Sequence, residues 1–178
     1  MKKLSFLFLA LILLLTGCGK KSTFTLKGNI SGLSSDTILV FYQEPNYKLD
    51  TIIAQNGKFN YTITPDTFTI FSLLLSDKET LPVFADKGES VTWDGTPGDI
   101  QIKGKGDNER MAYILQTIKE AKADSLMFTV DRLIKENPHS FANIYLIEQY
   151  YVQDSLPDYT RMDELIQGLS GSIKDTPY

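Results

Sequence analysis

The chain contains a single cysteine, Cys18, and its position gives that residue the most specific chemistry in the sequence. Lys2 and Lys3 precede an apolar run over residues 4–15 broken only by Ser5, and Leu15-Thr16-Gly17 sets small residues directly ahead of the thiol. That order is a lipobox at the end of a secretory leader. The Cys18 thiol would take a diacylglycerol through a thioether, and cleavage before it would free an amine for a further acyl chain. A permanent span needs about 20 apolar residues, so the leader is too short to remain as one. Each buried methylene contributes about 0.8 kcal/mol, and two or more chains anchor where one binds only marginally. The expected partner at this end of the chain is therefore membrane lipid, held through acylated Cys18. Gly19 follows in place of the Asp that favours inner-membrane retention, and Lys20-Lys21 is not an acidic surface-export cluster. The expected location is the periplasmic face of the outer membrane.

Elsewhere the inventory for chemistry is thin. His139 is the only histidine and follows Pro138, where an exposed capping residue is expected in preference to a base or metal ligand. One histidine and a lipidated cysteine cannot build a zinc site. Asp86, Glu89, Asp94 and Asp99 read as turn-forming residues before they read as Ca²⁺ ligands. Gly104-Lys105-Gly106 has Glu109 where a dinucleotide loop needs its third glycine, and Gly168-Leu169-Ser170-Gly171 lacks the strand that precedes a nucleophile elbow. No catalytic residue, cofactor or metal is assigned, and an enzyme is not expected. Lys and Arg number 18 against 22 Asp and Glu, a net charge of −4, which falls to −6 once residues 1–17 with their two lysines are removed. That balance disfavours nucleic acid, whose phosphates need a basic surface.

One short pattern recurs as Asp36-Thr37-Ile38, Asp50-Thr51-Ile52, Asp124-Ser125-Leu126 and Asp154-Ser155-Leu156. These Asp-Ser/Thr-apolar triplets resemble O-glycosylation acceptors of exported Gram-negative proteins, making Thr37, Thr51, Ser125 and Ser155 candidate sites. Strand starts and helix caps favour the same residues.

The elements that would position these groups fall into two halves. Up to about Lys103 the pattern is period two: Phe24, Leu26 and Ile30 alternate with polar residues, and residues 38–42 are apolar on both sides, as in a central strand covered on both faces. Asn56-Gly57 between residues 51–54 and 58–63 predicts a type I′ turn and a β-hairpin. Further strands are expected at 68–75, 81–85, 90–93 and 100–103, with Phe59, Tyr61 and Trp93 facing the core. About eight short strands predict an antiparallel β-sandwich or barrel over residues 23–104.

After Gly106 the period lengthens. Met111, Ile114, Leu115 and Ile118 predict a helix capped by Asp107 or Asn108, and Leu126, Val130, Leu133 and Ile134 predict a second. Asn137-Pro138 should break the helix, with two more at 140–151 and 159–169, the last with Met162, Leu165, Ile166 and Leu169 on one face. The division is a signal peptide (1–17), a lipidated tether (18–22), the β domain, and a helical connector or appendage (105–178): mainly β followed by α. Tyr150 and Tyr151 are the aromatic pair whose burial the pattern leaves open.

Residues 24–30, Asn56-Gly57-Lys58-Phe59, Gly88-Glu89-Ser90-Val91 and residues 102–108, together with the lipobox, resemble the N-terminal β domain of TlpA/ResA-like thiol-disulfide oxidoreductase lipoproteins. Asn137-Pro138-His139-Ser140 is similar to the junction in that family's helical connector. The resemblance implies a non-catalytic accessory domain beside a thioredoxin-like partner. The family's Cys-X-X-Cys pair has no counterpart in these 178 residues. The second reading is a stand-alone envelope module that binds a glycan, peptide or protein.

Overall fold

The computed structural model describes residues 22–42, 47–77 and 79–175. Cys18 and the leader lie outside the described residues. Eight strands come first: β1 (Phe24–Ile30), β2 (Thr37–Tyr42), β3 (Lys48–Ile53), β4 (Lys58–Ile63), β5 (Thr69–Ser76), β6 (Glu79–Ala85), β7 (Ser90–Thr96) and β8 (Asp99–Lys103). Helices α1 (Asp107–Glu120), α2 (Leu126–Glu136), α3 (Ala142–Ile147) and α4 (Tyr159–Gly168) follow, so the fold is β first and α second, as expected.

The strands form two four-stranded sheets, β4-β1-β7-β8 and β3-β2-β5-β6, and neither closes into a barrel. They pack face to face through aromatic rings. Phe71 of β5 meets Phe24 edge-on at 6.2 Å and Tyr61 at 5.7 Å, and lies 5.3 Å from Tyr42. In the first sheet period two holds: Phe24, Leu26 and Ile30 are buried while Lys27 and Asn29 are exposed. Gly28 continues the inward row, opposite Phe59 on one side and Trp93 on the other. The Phe59 ring occupies the space that a side chain at position 28 would need, since a Cβ there would lie 2.1 Å from its Cζ.

The sheets depart from the expectation in two ways. First, β1 and β7 run parallel, Thr25 beside Ser90 through Ile30 beside Gly95, so the first sheet is mixed. A parallel pair needs a long crossover, and everything from β2 to β6 supplies it. Second, Asn56-Gly57 makes its turn without making a hairpin. Both residues have positive φ, 51° and 77°, and Gln55 and Lys58 exchange both backbone hydrogen bonds at 2.8 and 3.0 Å. The strands on either side then part, β3 pairing with β2 and β4 with β1. The turn carries the chain from one sheet to the other. Its glycine is required sterically as well, for a Cβ at position 57 would lie 2.2 Å from the Ile30 carbonyl oxygen, which is part of the close approach that lets Ile30 N–H donate to Gly57 O at 2.8 Å.

Helix α1 packs on β8 and β6, the edge strands of opposite sheets, and buries Met111 and Ile114. Asp107 and Asn108 do not cap it: Gly106 holds the cap position without a side-chain bond. Asp107 accepts from Ser140 Oγ at 2.5 Å, tying α1 to the start of α3. Asn108, 3 % exposed, turns onto β6, where its Nδ2 donates to Phe84 O at 2.6 Å and its Oδ1 accepts from Phe84 N–H at 3.2 Å. It acts as one residue of an extra strand, satisfying groups that an edge leaves open. Pro82, two residues back on the same edge, has no N–H to leave open.

In β5 and β6 the buried positions run consecutively, Ile70 to Leu73 and Leu81 to Ala85, because one face meets the other sheet and the other face meets the helices. Strand β2 is central yet covered fully on one face only, with Ile38 and Val40 buried and Phe41 38 % exposed. Leu165 on α4 and Leu169 just past its end are buried, but Ile166 is 43 % exposed and stands outside the packed stripe. Arg161 holds α4 to α2 by donating from Nε to Asp131 Oδ2 at 2.8 Å, and the other oxygen of that carboxylate accepts from the Tyr151 hydroxyl.

Candidate functional site

The groups singled out for chemistry do not converge. His139 is exposed beside the helix break and caps nothing. Asp86 accepts its neighbour Lys87 N–H at 2.7 Å, and Asp99 forms an exposed ion pair with Lys119. Among the described residues no three of His, Cys, Asp and Glu gather closely enough to hold a metal ion. Thr37, Thr51 and Ser155 are exposed, whereas Ser125 is half-buried and donates to Lys122 O at 3.2 Å. Trp93 and Phe59 are core, as expected, and Tyr151 joins them at 3 % exposure while Tyr150 stays half-buried.

Two polar clusters lie elsewhere. At the side of the sandwich where β3 leads to β4, the Tyr61 hydroxyl lies 2.7 Å from that of Tyr42 and donates to Asp50 at 3.0 Å, and Lys48 donates to the same carboxylate oxygen. Burial first, then the neighbouring hydroxyl and carboxylate, push the Tyr61 phenol well above its ordinary range. A phenol held neutral in this way is a strut between sheets, unsuited to act as a base. On α1, Arg110 donates to Leu133 O at 2.6 Å and lies over the Tyr113 ring, which is likewise structural.

The hollow with the features of a ligand site lies between the outer face of the second sheet and α3, with a volume of about 210 Å³. Its floor comes from alternate strand positions: Phe41 on β2, Ile70 and Ser72 on β5, and Thr80, Pro82 and Phe84 on β6. Its roof comes from Phe141, Ile144 and Tyr145, then from Glu148, Gln149 and Gln153. Phe68 anchors one end by packing on both Phe84 and Phe141, at 6.5 and 4.7 Å.

Residues 148–152 form a π-helical turn that continues α3. Such turns recur at functional sites because the wider spacing re-aims side chains. Here it sets Glu148, Gln149 and Gln153 along one rim. Burial raises the Tyr145 phenol, so that side chain stays an uncharged donor and acceptor. Ser72 is only 8 % exposed and lines the floor. A hydroxyl on the floor of a hollow can both donate to and accept from a ligand or a water.

Sequence reading missed this site. Its floor and roof are dispersed from Phe41 to Gln153, with no local motif. The available signals were the consecutive apolar residues of β5 and β6, which imply a covered outer face, and a serine and a proline inside those runs.

No curated protein matches the chain. A family model described as a domain of unknown function (DUF4369) matches residues 24–128. The matched range holds all eight strands, α1 and the start of α2, hence the floor of the hollow, while its roof lies beyond residue 128. The chain belongs to the DUF4369 family of domains of unknown function.

Proposed function

We propose that the chain is a non-catalytic envelope binding module, tethered to the membrane through acylated Cys18, with the hollow beneath α3 as its ligand site. The observation that supports the module reading is the hollow itself: a preformed concavity with a mostly apolar floor, the Ser72 hydroxyl on it and a polar rim. That combination of apolar walls with a few placed polar groups is how small-ligand sites are built. An accessory role beside a thioredoxin-like partner rests on the sequence resemblance alone. Thr37, Thr51 and Ser155 remain proposed glycosylation acceptors, supported by their exposure, and an unshifted intact mass would remove them.

A two-armed experiment tests the module. In fractionated cells, Cys18→Ser should move the protein from the membrane to the soluble fraction; unchanged fractionation rejects the tether. In a ligand-observed NMR screen of water-soluble fragments, hits on the wild-type chain should be lost in Ile144→Trp, whose indole would fill the hollow. A screen whose hits are indifferent to that substitution rejects the hollow as the site.

A further inference from the structure

The charge around the hollow narrows what it would hold. Beside it lies a second concavity of about 400 Å³ that shares Thr80, Tyr145 and Gln149 with the first and adds Glu79 and Tyr150. The two make one trough along α3 and its π turn. Its charged lining residues are Glu148 on the first hollow and Glu79 on the second, and among the described residues no Lys, Arg or His lines either. Glu79 is half-buried and accepts Gly98 N–H at 2.6 Å. Glu148 is exposed and has no side-chain hydrogen bond or ion pair among the described residues.

The first hollow is also lined by the rings of Phe41, Phe84, Phe141 and Tyr145. Aromatic faces attract cations as well as apolar groups. An anionic ligand would meet like charge in either hollow with no counter-charge from the described lining residues, and like-charge placement in a concave site is repulsive.

We propose that the trough binds an ammonium group carried on an apolar stem, the stem on the aromatic floor and the cation at Glu148. The inference rests on the module reading above and specifies its ligand chemistry. Ser72 and Thr80 on the floor, with Gln149 and Gln153 on the rim, supply neutral hydrogen-bonding groups for the polar parts of such a molecule. The same chemistry occurs in a free arylalkylamine and in a lysine side chain next to an apolar residue of a peptide.

The test titrates the full chain in phosphatidylcholine nanodiscs, by calorimetry against empty nanodiscs, with phenethylamine, phenethyl alcohol and phenylacetate. Phenethylamine should bind about tenfold or more tightly than phenylacetate, a difference of about 1.4 kcal/mol. Glu148→Gln should remove most of that preference while leaving the alcohol's affinity unchanged. Ile144→Trp, or Gln149→Trp should the first variant fail to fold, should abolish all binding. A blocked peptide with Phe beside Lys, compared with its Nε-acetylated form, separates the sources: loss on acetylation with weak phenethylamine binding points to a peptide lysine, and the reverse points to a free amine. Equal binding of the three probes, lost on filling the hollow, would overturn the charge inference and leave the module standing. Absence of saturable binding by any probe would overturn both.

Discussion

The two sheets of this domain use their faces differently. The β4-β1-β7-β8 sheet is amphipathic, with one face in the core and Lys27, Asn29 and Asn60 on the other in solvent. In the β3-β2-β5-β6 sheet, β5 and β6 are buried on both faces, between the first sheet and the helices, while β2 and β3 leave their outer faces bare at Phe41, Leu49 and Ile53. The first sheet is a wall; the second is a partition. The hollow opens where the helical cover of that partition is incomplete, between Phe41 and Tyr145. The proposed ligand site is thus a gap left by a sheet that helices cover only in part.

If the outer face of β5 and β6 is truly a second core, truncation there should be as damaging as in the sandwich interior. Phe84→Ala is expected to destabilise by about 3–5 kcal/mol, against no more than about 0.5 kcal/mol for Asn60→Ala on the solvent face of the first sheet. Urea midpoints measure both, and similar values for the two would erase the comparison. Asn108→Ala probes how the partition's edge is sealed. Stranding Phe84 N–H and C=O should lower stability by about 2 kcal/mol, and amide exchange at Phe84 should accelerate. An Asn108→Ala protein as stable as wild type would mean that water replaces the side chain without loss. A smaller effect than at Phe84 or Asn108 is expected where β2, β3 and β4 meet: Tyr61→Phe removes a hydroxyl bonded to Tyr42 and Asp50, at a cost of about 1 kcal/mol. A larger loss would show that this strut, and not only the buried rings, holds the layers together.

Much of the fold was legible because it is local. The alternation of Phe24, Leu26 and Ile30, the helical spacing of Met111 and Ile114, and the break at Asn137-Pro138 each show in a short window and each match the structure. What failed was destination. Asn56-Gly57 specifies its own turn through positive φ, but nothing within six residues says that β3 and β4 belong to different sheets. Asn108 stands where a helix cap would, and an amide that bonds a neighbouring strand is indistinguishable in sequence from one that bonds its own helix. The parallel pairing of β1 with β7 is non-local by nature. The π turn was the least legible element, because Glu148–Val152 carries no residue that an α-helix would refuse.

The position of β1 also governs the order in which the domain can form. Its two partners are β4 and β7, and β7 lies at the far end of a crossover that contains five other strands. A chain severed anywhere between β4 and β7 would leave β1 as a raw edge with Trp93 missing from its flank. No N-terminal piece ending before β7 is therefore a smaller working version of the whole. Pairings this distant in sequence slow folding, since the loop must close before the contact rewards it. Completion of the first sheet waits on β7, whereas every strand of the partition precedes β7 in the chain.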